Sequence, residues 1–155
     1  MKKIVSFSLA LIMALSLCAC GSGGSKSEEA EAVAAALDGH TWGAVANETA
    51  LGTVYNFMIF TTDEDVGGGG DVEFISTLDD AAVNHYKGTF SVLINDPTKI
   101  EVSYIADVDS DGNMVKRDSP FSETLQCVYE DGEVTEISRL NDDGEVVVTL
   151  TIIDD

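Results

Sequence analysis

Asp107, Asp109, Asp111 and Asp118 occupy the first, third, fifth and twelfth places of a run reading Asp107-Val108-Asp109-Ser110-Asp111-Gly112-Asn113-Met114-Val115-Lys116-Arg117-Asp118, with glycine in sixth place. A hard cation such as Ca²⁺ collects oxygen ligands, and alternating carboxylates around a glycine-permitted turn can bring several oxygens to one point. The spacing predicts a candidate calcium site made by Asp107, Asp109, Asp111, Asn113 and Asp118. Three features work against it. The twelfth place holds Asp rather than a longer, bidentate Glu; the flanking segments are β-rich rather than helical; and Lys116 and Arg117 put positive charge beside the loop. The competing reading is a solvated acidic turn.

Other residue types offer less chemistry. His40 and His85 are isolated, and neither has a metal-ligand spacing. The glycine run Gly67–Gly70 lacks the Lys-Ser/Thr that a phosphate loop needs. Nothing marks a nucleophile, so the expected class is not an enzyme. Cys127 alternates with Leu125 and Tyr129 and reads as a small buried hydrophobe. Asp63-Glu64-Asp65 and Asp142-Asp143 read as solvated loop charges.

These residues sit in a chain of 155 with 8 basic against 28 acidic side chains, a formal net charge of -20. Such a balance excludes a nucleic-acid partner, which needs a basic footprint, and electrostatic attachment to anionic lipid. The 45% hydrophobic content is that of a globular domain rather than a disordered acidic tail.

The N-terminus carries an address. Met1-Lys2-Lys3 precedes an apolar stretch, Ile4 to Leu17, that falls short of the roughly 20 residues a spanning helix requires. Leu17-Cys18-Ala19-Cys20-Gly21 resembles the lipobox of bacterial lipoproteins. The resemblance implies a signal peptide over 1–19 and a diacylated Cys20 as the mature N-terminus, hence a membrane-anchored, extracytoplasmic protein. Two acyl chains give a durable anchor where one does not. Residues 20–36 then comprise the acylated cysteine, a Gly/Ser tether and a short helix, Glu28 to Leu37, with Ser27 as N-cap and Gly39 as stop. With Cys18 discarded and Cys20 acylated, Cys127 has no disulfide partner.

From residue 37 to 155 the chain is a series of β-rich runs separated by turn residues. Strands are predicted near Thr41–Ala46, Val54–Thr62, Val72–Thr77, Tyr86–Ile94, Ile100–Val108, Phe121–Tyr129, Val134–Leu140 and Glu145–Ile153, with a helical turn over Thr77–Asn84. Asp131-Gly132 and Asp143-Gly144 are hairpin signals, and Asn95-Asp96-Pro97 breaks a ladder. Eight short-connected strands with one apolar face predict an all-β fold, an eight-stranded antiparallel up-and-down barrel behind a short N-terminal helix. Tyr55, Phe57, Phe74, Phe90, Tyr104 and Leu150 are its candidate lumen residues. The second strand is apolar on both faces and calls for cover on both.

Leu37-Asp38-Gly39-His40-Thr41-Trp42, followed by the hairpin-rich remainder, resembles the lipocalin-like domains of small bacterial lipoproteins. The resemblance implies that Trp42 plugs the closed end of the barrel and that Arg139 packs across its ring. It also implies a barrel able to hold one small apolar or amphipathic ligand. The alternative is a non-enzymatic module with a filled barrel that meets a protein or cell-wall polymer, with or without calcium. The anchor is tested directly: Cys20→Ser should move the protein from the detergent phase to the aqueous phase on partitioning. Unchanged partitioning of the variant contradicts acylation at Cys20.

Overall fold

The computed structural model describes residues 24–50, 52–79 and 81–153, without the side chains of 24–26 and 45–49. The expected signal peptide, Cys20 and the first residues of the expected tether lie outside the described residues. One helix, α1 (Gly24–Leu37), precedes eight strands: β1 (Thr41–Thr49), β2 (Gly52–Thr62), β3 (Gly69–Leu78), β4 (Ala81–Val92), β5 (Lys99–Val108), β6 (Met114–Glu130), β7 (Glu133–Leu140) and β8 (Val146–Ile152). Each strand pairs antiparallel with the next and β8 returns to β1, closing the barrel. The all-β, up-and-down barrel expected from the sequence is the observed fold. No helix among the described residues is long and apolar enough to cross a membrane.

The turns follow their residue types. Asp131-Gly132 joins β6 to β7 with positive φ at both residues, 54° and 88°, as a two-residue type I′ hairpin requires. Gly39, at φ 76°, ends α1 in the left-handed conformation that a residue without Cβ adopts cheaply. Between β3 and β4 the predicted helical turn gives way to a tight hairpin. There Asp79 takes a positive φ, its N–H donates to the Thr53 carbonyl, and its carboxylate accepts the Thr53 N–H at 3.0 Å. Those two bonds tie the tip to β2 and displace any local helical pairing. Strand β4 accordingly begins at Ala81, well before the predicted Tyr86, and β6 begins at Met114 rather than Phe121.

Strand direction gives the barrel two unlike ends. At one end lie the start of β1, the ends of β2 and β4 and the start of β7. Here α1 lies across the opening, contacting β2, β4 and β7. Ala30, Val33, Ala34 and Leu37 of α1 are buried and join Trp42, Met58, Phe60, Phe90, Ile100, Leu125 and Ile137 in one core. Trp42 is fully buried, and its indole N–H donates to the Leu37 carbonyl at 3.2 Å, which ties β1 to the last turn of the helix. The closed end is therefore an apolar plug that includes Trp42. At the other end, the turns after β1, β3, β5 and β7 surround a mouth that no helix among the described residues covers.

The β7–β8 hairpin is held loosely. Among the described residues β8 pairs with β1 at Trp42↔Ile152 and Gly43↔Thr151, extended by the Ile153 N–H donating to the Thr41 carbonyl at 3.0 Å, and β7 pairs with the Leu125–Glu130 part of β6. Stability should therefore rest on the plug. Trp42→Ala removes a buried aromatic with its hydrogen bond and should cost about 3–5 kcal/mol. Denaturant unfolding measures this, and a change below about 1 kcal/mol would show that the plug does not hold the barrel together.

Candidate functional site

Alternation on the paired strands decides which side chains enter the lumen. On β2 the buried positions are Asn56, Met58 and Phe60, so Tyr55 and Phe57 point outward. They stack on each other on the barrel's outer face, ring centroids 6.3 Å apart, and are not lumen residues. Phe57 stands opposite Gly43 and Ile75 on the neighbouring strands, and Ile153 lies over Gly43. An outer apolar strip, not the helix, partly covers that face of β2. Phe74, Phe90, Tyr104 and Leu150 are buried inside as expected.

Toward the mouth the lumen changes character. Phe74, Tyr86, Tyr104 and Phe121 form one aromatic cluster, with centroid separations from 4.8 Å (Tyr104–Phe121) to 6.1 Å (Phe74–Tyr104). The cluster begins buried at Phe74 and ends at Phe121, which is 37% exposed. Both arginines of the chain converge on it. The Arg139 guanidinium lies 4.9 Å from the Phe74 ring centre, and that of Arg117 lies 5.3 Å from Tyr86 and 4.8 Å from Phe121. These are cation–π distances. Arg139 thus stacks on Phe74, not across Trp42 as the resemblance implied. The reason is its carboxylate partner: Glu123 faces inward opposite Val102, and Arg139 donates to its Oε2 from Nε and Nη2, both at 2.9 Å.

The Tyr104 hydroxyl donates to the other oxygen of Glu123 at 2.7 Å. Burial, and next the Glu123 charge, push its pKa far above the ordinary tyrosine range, so it remains a neutral donor. Arg117 donates to Asp107 Oδ1 at 2.6 Å across a bulge, where residues 116–121 of β6 stand against only 104–106 of β5. The bulge turns Arg117 onto the rings and leaves Asp107 half-exposed.

Just above the Met58–Phe74–Tyr86 row, cross-strand pairing lines up Ala44, Asn56, Ser76 and Asn84. Asn84 Oδ1 accepts the Tyr86 hydroxyl at 2.9 Å. Asn56 (8% exposed) and Ser76 (6%) are polar residues within the barrel wall, and among the described residues neither side chain hydrogen-bonds to protein. No buried polar side-chain atom is sealed from solvent without a partner. The amide and hydroxyl therefore keep a small residual exposure to solvent. The sequence reading missed this row because nothing in Val54-Tyr55-Asn56 or Ile75-Ser76-Thr77 marks the polar residue as the inward one.

The candidate calcium site does not assemble. Met114–Asp118 is strand, Asp107 is engaged by Arg117, and Asp109 turns its carboxylate onto its own loop. Asp109 Oδ1 accepts the N–H groups of Asp111 (3.0 Å) and Asn113 (2.8 Å). Asn141 does the same in the β7–β8 turn, accepting from Asp143 (3.0 Å) and Glu145 (2.8 Å). Gly112 and Gly144 occupy equivalent places at φ 82° and 79°. A neutral amide builds the same turn, so the Asp109 position is explained by hairpin geometry. Among the described residues no group of three or more His, Cys, Asp or Glu side chains is placed to hold a metal ion. Cys127 is buried, its thiol pushed up to about 11 by desolvation, as befits a packing residue.

A groove of about 940 Å³ runs along the outer face of β3 to β6, lined by Asp71, Thr89, Glu101, Ser103, Ser122 and Asp142 among others. It is wide and polar with no aromatic anchor facing out, so the mouth holds the better-furnished site. Comparison with family models, curated proteins and solved structures gave no match to this chain.

The Asp109 carboxyl is held below its ordinary value, first by the Asn113 N–H. Its support of the turn is therefore present above the ordinary carboxylate range and is lost as pH falls through the lowered value. At neutral pH and fixed ionic strength, millimolar Ca²⁺ and Mg²⁺ should raise the melting temperature equally. A larger Ca²⁺ shift that disappears in Asp109→Asn/Asp111→Asn would restore the metal site.

Proposed function

We propose that this chain is a lipid-anchored, extracytoplasmic lipoprotein of lipocalin-like type whose barrel binds a small amphipathic molecule at its open end, without catalysing a reaction. The observation that carries the reading is the convergence of both arginines on the Phe74–Tyr86–Tyr104–Phe121 cluster, with Asn56 and Ser76 on its mouth side and without a hydrogen-bond partner among the described residues. Rings supply apolar area, while unpaired amide and hydroxyl groups supply the few directed hydrogen bonds that fix a ligand's orientation. The lipocalin-like assignment is supported by the closed eight-strand barrel, the preceding helix and the buried Trp42. Its weak point is Arg139, which stacks elsewhere. The membrane address rests on Leu17-Cys18-Ala19-Cys20-Gly21.

A second reading, a filled barrel that meets a protein or wall polymer, draws on exposed Met114, Val115, Val146 and Val147 at the starts of β6 and β8, beside the mouth. Native mass spectrometry of protein purified from its own host distinguishes the two. The ligand reading expects a co-purifying small molecule that Phe121→Ala or Ser76→Val diminishes. Apo protein throughout, together with a macromolecular partner whose capture needs Met114 and Val146, favours the second.

A further inference from the structure

We propose that the ligand taken at the mouth is an organic cation, an amine, guanidine or quaternary ammonium carrying an apolar part, and that Arg117 is an internal occupant which it displaces. The inference rests on the ligand reading above and specifies its charge.

The Arg117 guanidinium sits in a box whose walls come from three strands: the Tyr86 ring of β4, the Phe121 ring of β6 and the Asp107 carboxylate at the end of β5. Two aromatic faces and one carboxylate are what a cation of any origin requires, because ring quadrupoles and a negative oxygen both favour positive charge. Arg117 is attached through the bulge at 116–121, the segment of β6 with the loosest register. The walls are better anchored. Tyr86 stacks on buried Phe74, and Phe121 packs 4.8 Å from buried Tyr104. Arg139, by contrast, is fixed by two hydrogen bonds to inward Glu123 and is not exchangeable in this way.

The surrounding field has the same sign preference. The described turns at the mouth expose Asp79, Asp109, Asp111, Asp142, Asp143 and Glu145, with no Lys or Arg within them. Lys116, Arg117 and Arg139 are nearby cations, and both arginines are already paired, with Asp107 and Glu123. A chain of net charge -20 repels an incoming anion and concentrates a cation at such a rim. One row nearer the mouth than Tyr86, the side chains of Asn56 and Ser76 are hydrogen-bonded to no protein group among the described residues. Their presence separates this site from a merely acidic surface.

The test compares three probes of similar shape by calorimetry on the full chain in non-ionic detergent: benzyltrimethylammonium, benzyl alcohol and benzoate. The cation should bind best in the wild type. Arg117→Met, which keeps the apolar stem and removes the competing charge, should tighten cation binding by about tenfold; Arg117→Ala should do the same if Met refills the box. Tyr86→Leu should weaken the cation in either background. Preferred binding of benzoate, lost in Arg117→Met, would overturn the cation proposal while leaving a mouth ligand standing. Binding of no probe to wild type or to either Arg117 variant would remove both the proposal and the ligand reading beneath it.

Discussion

Glu123 points a carboxylate into the interior of a closed barrel, and the upper half of the molecule is arranged around that fact. An inward charge without a partner costs several kcal/mol, so a cation must face it from a neighbouring strand. Arg139 does so from β7, through two N–H groups, and Tyr104 closes the remaining oxygen from β5. Once Arg139 is turned inward, its guanidinium needs a second face. Phe74 supplies it, and the aromatic cluster builds outward from that ring to Tyr86 and Phe121. The polar centre occupies the β5–β7 side of the lumen, and on the β2–β3 side Asn56 and Ser76 have no hydrogen-bond partner among the described residues.

The opposite end solves the inverse problem. Helix α1 brings Ala30, Val33, Ala34 and Leu37 over the opening, and the indole N–H of Trp42 donates to the Leu37 carbonyl, so the indole is satisfied within the apolar core. The barrel is closed by packing under α1 at one end and lined by charged and polar side chains toward the other, open end. The weak β8–β1 seam of two residue pairs and the short β7 make that open end the more deformable one.

Much of the fold was legible. Alternation on β5 and the second half of β4 identified the inward set; on β8 it held only for Leu150, with Val146 and Ile152 exposed. Asp-Gly pairs marked two hairpins with positive φ at their glycines. Strand β2 was not legible in the same way. Val54-Tyr55-Asn56-Phe57-Met58-Ile59-Phe60 is apolar at both parities, so size alone favoured Tyr55 and Phe57 for the lumen. Packing under α1 chose Met58 and Phe60, and a period of two then forced Asn56 inward. The aspartate spacing at Asp107–Asp118 misled for a related reason. Alternating Asp residues suit a metal loop and a glycine-turned hairpin equally, and the Asn141–Glu145 turn shows the second use without the charges. The site itself was invisible because Arg117 reaches the rings only through a bulge, a feature of register that no local pattern carries.

The central claim is that the lumen above Phe74 is accessible to solvent and ligand and is not closed by protein. A high-resolution crystal structure of the full chain, with its ordered solvent, tests this most directly. The account predicts water or ligand density within hydrogen-bonding distance of both Asn56 and Ser76, continuous with the mouth beside Arg117. Asn56 and Ser76 bonded to protein groups, in a lumen with no room for a water molecule, would contradict it.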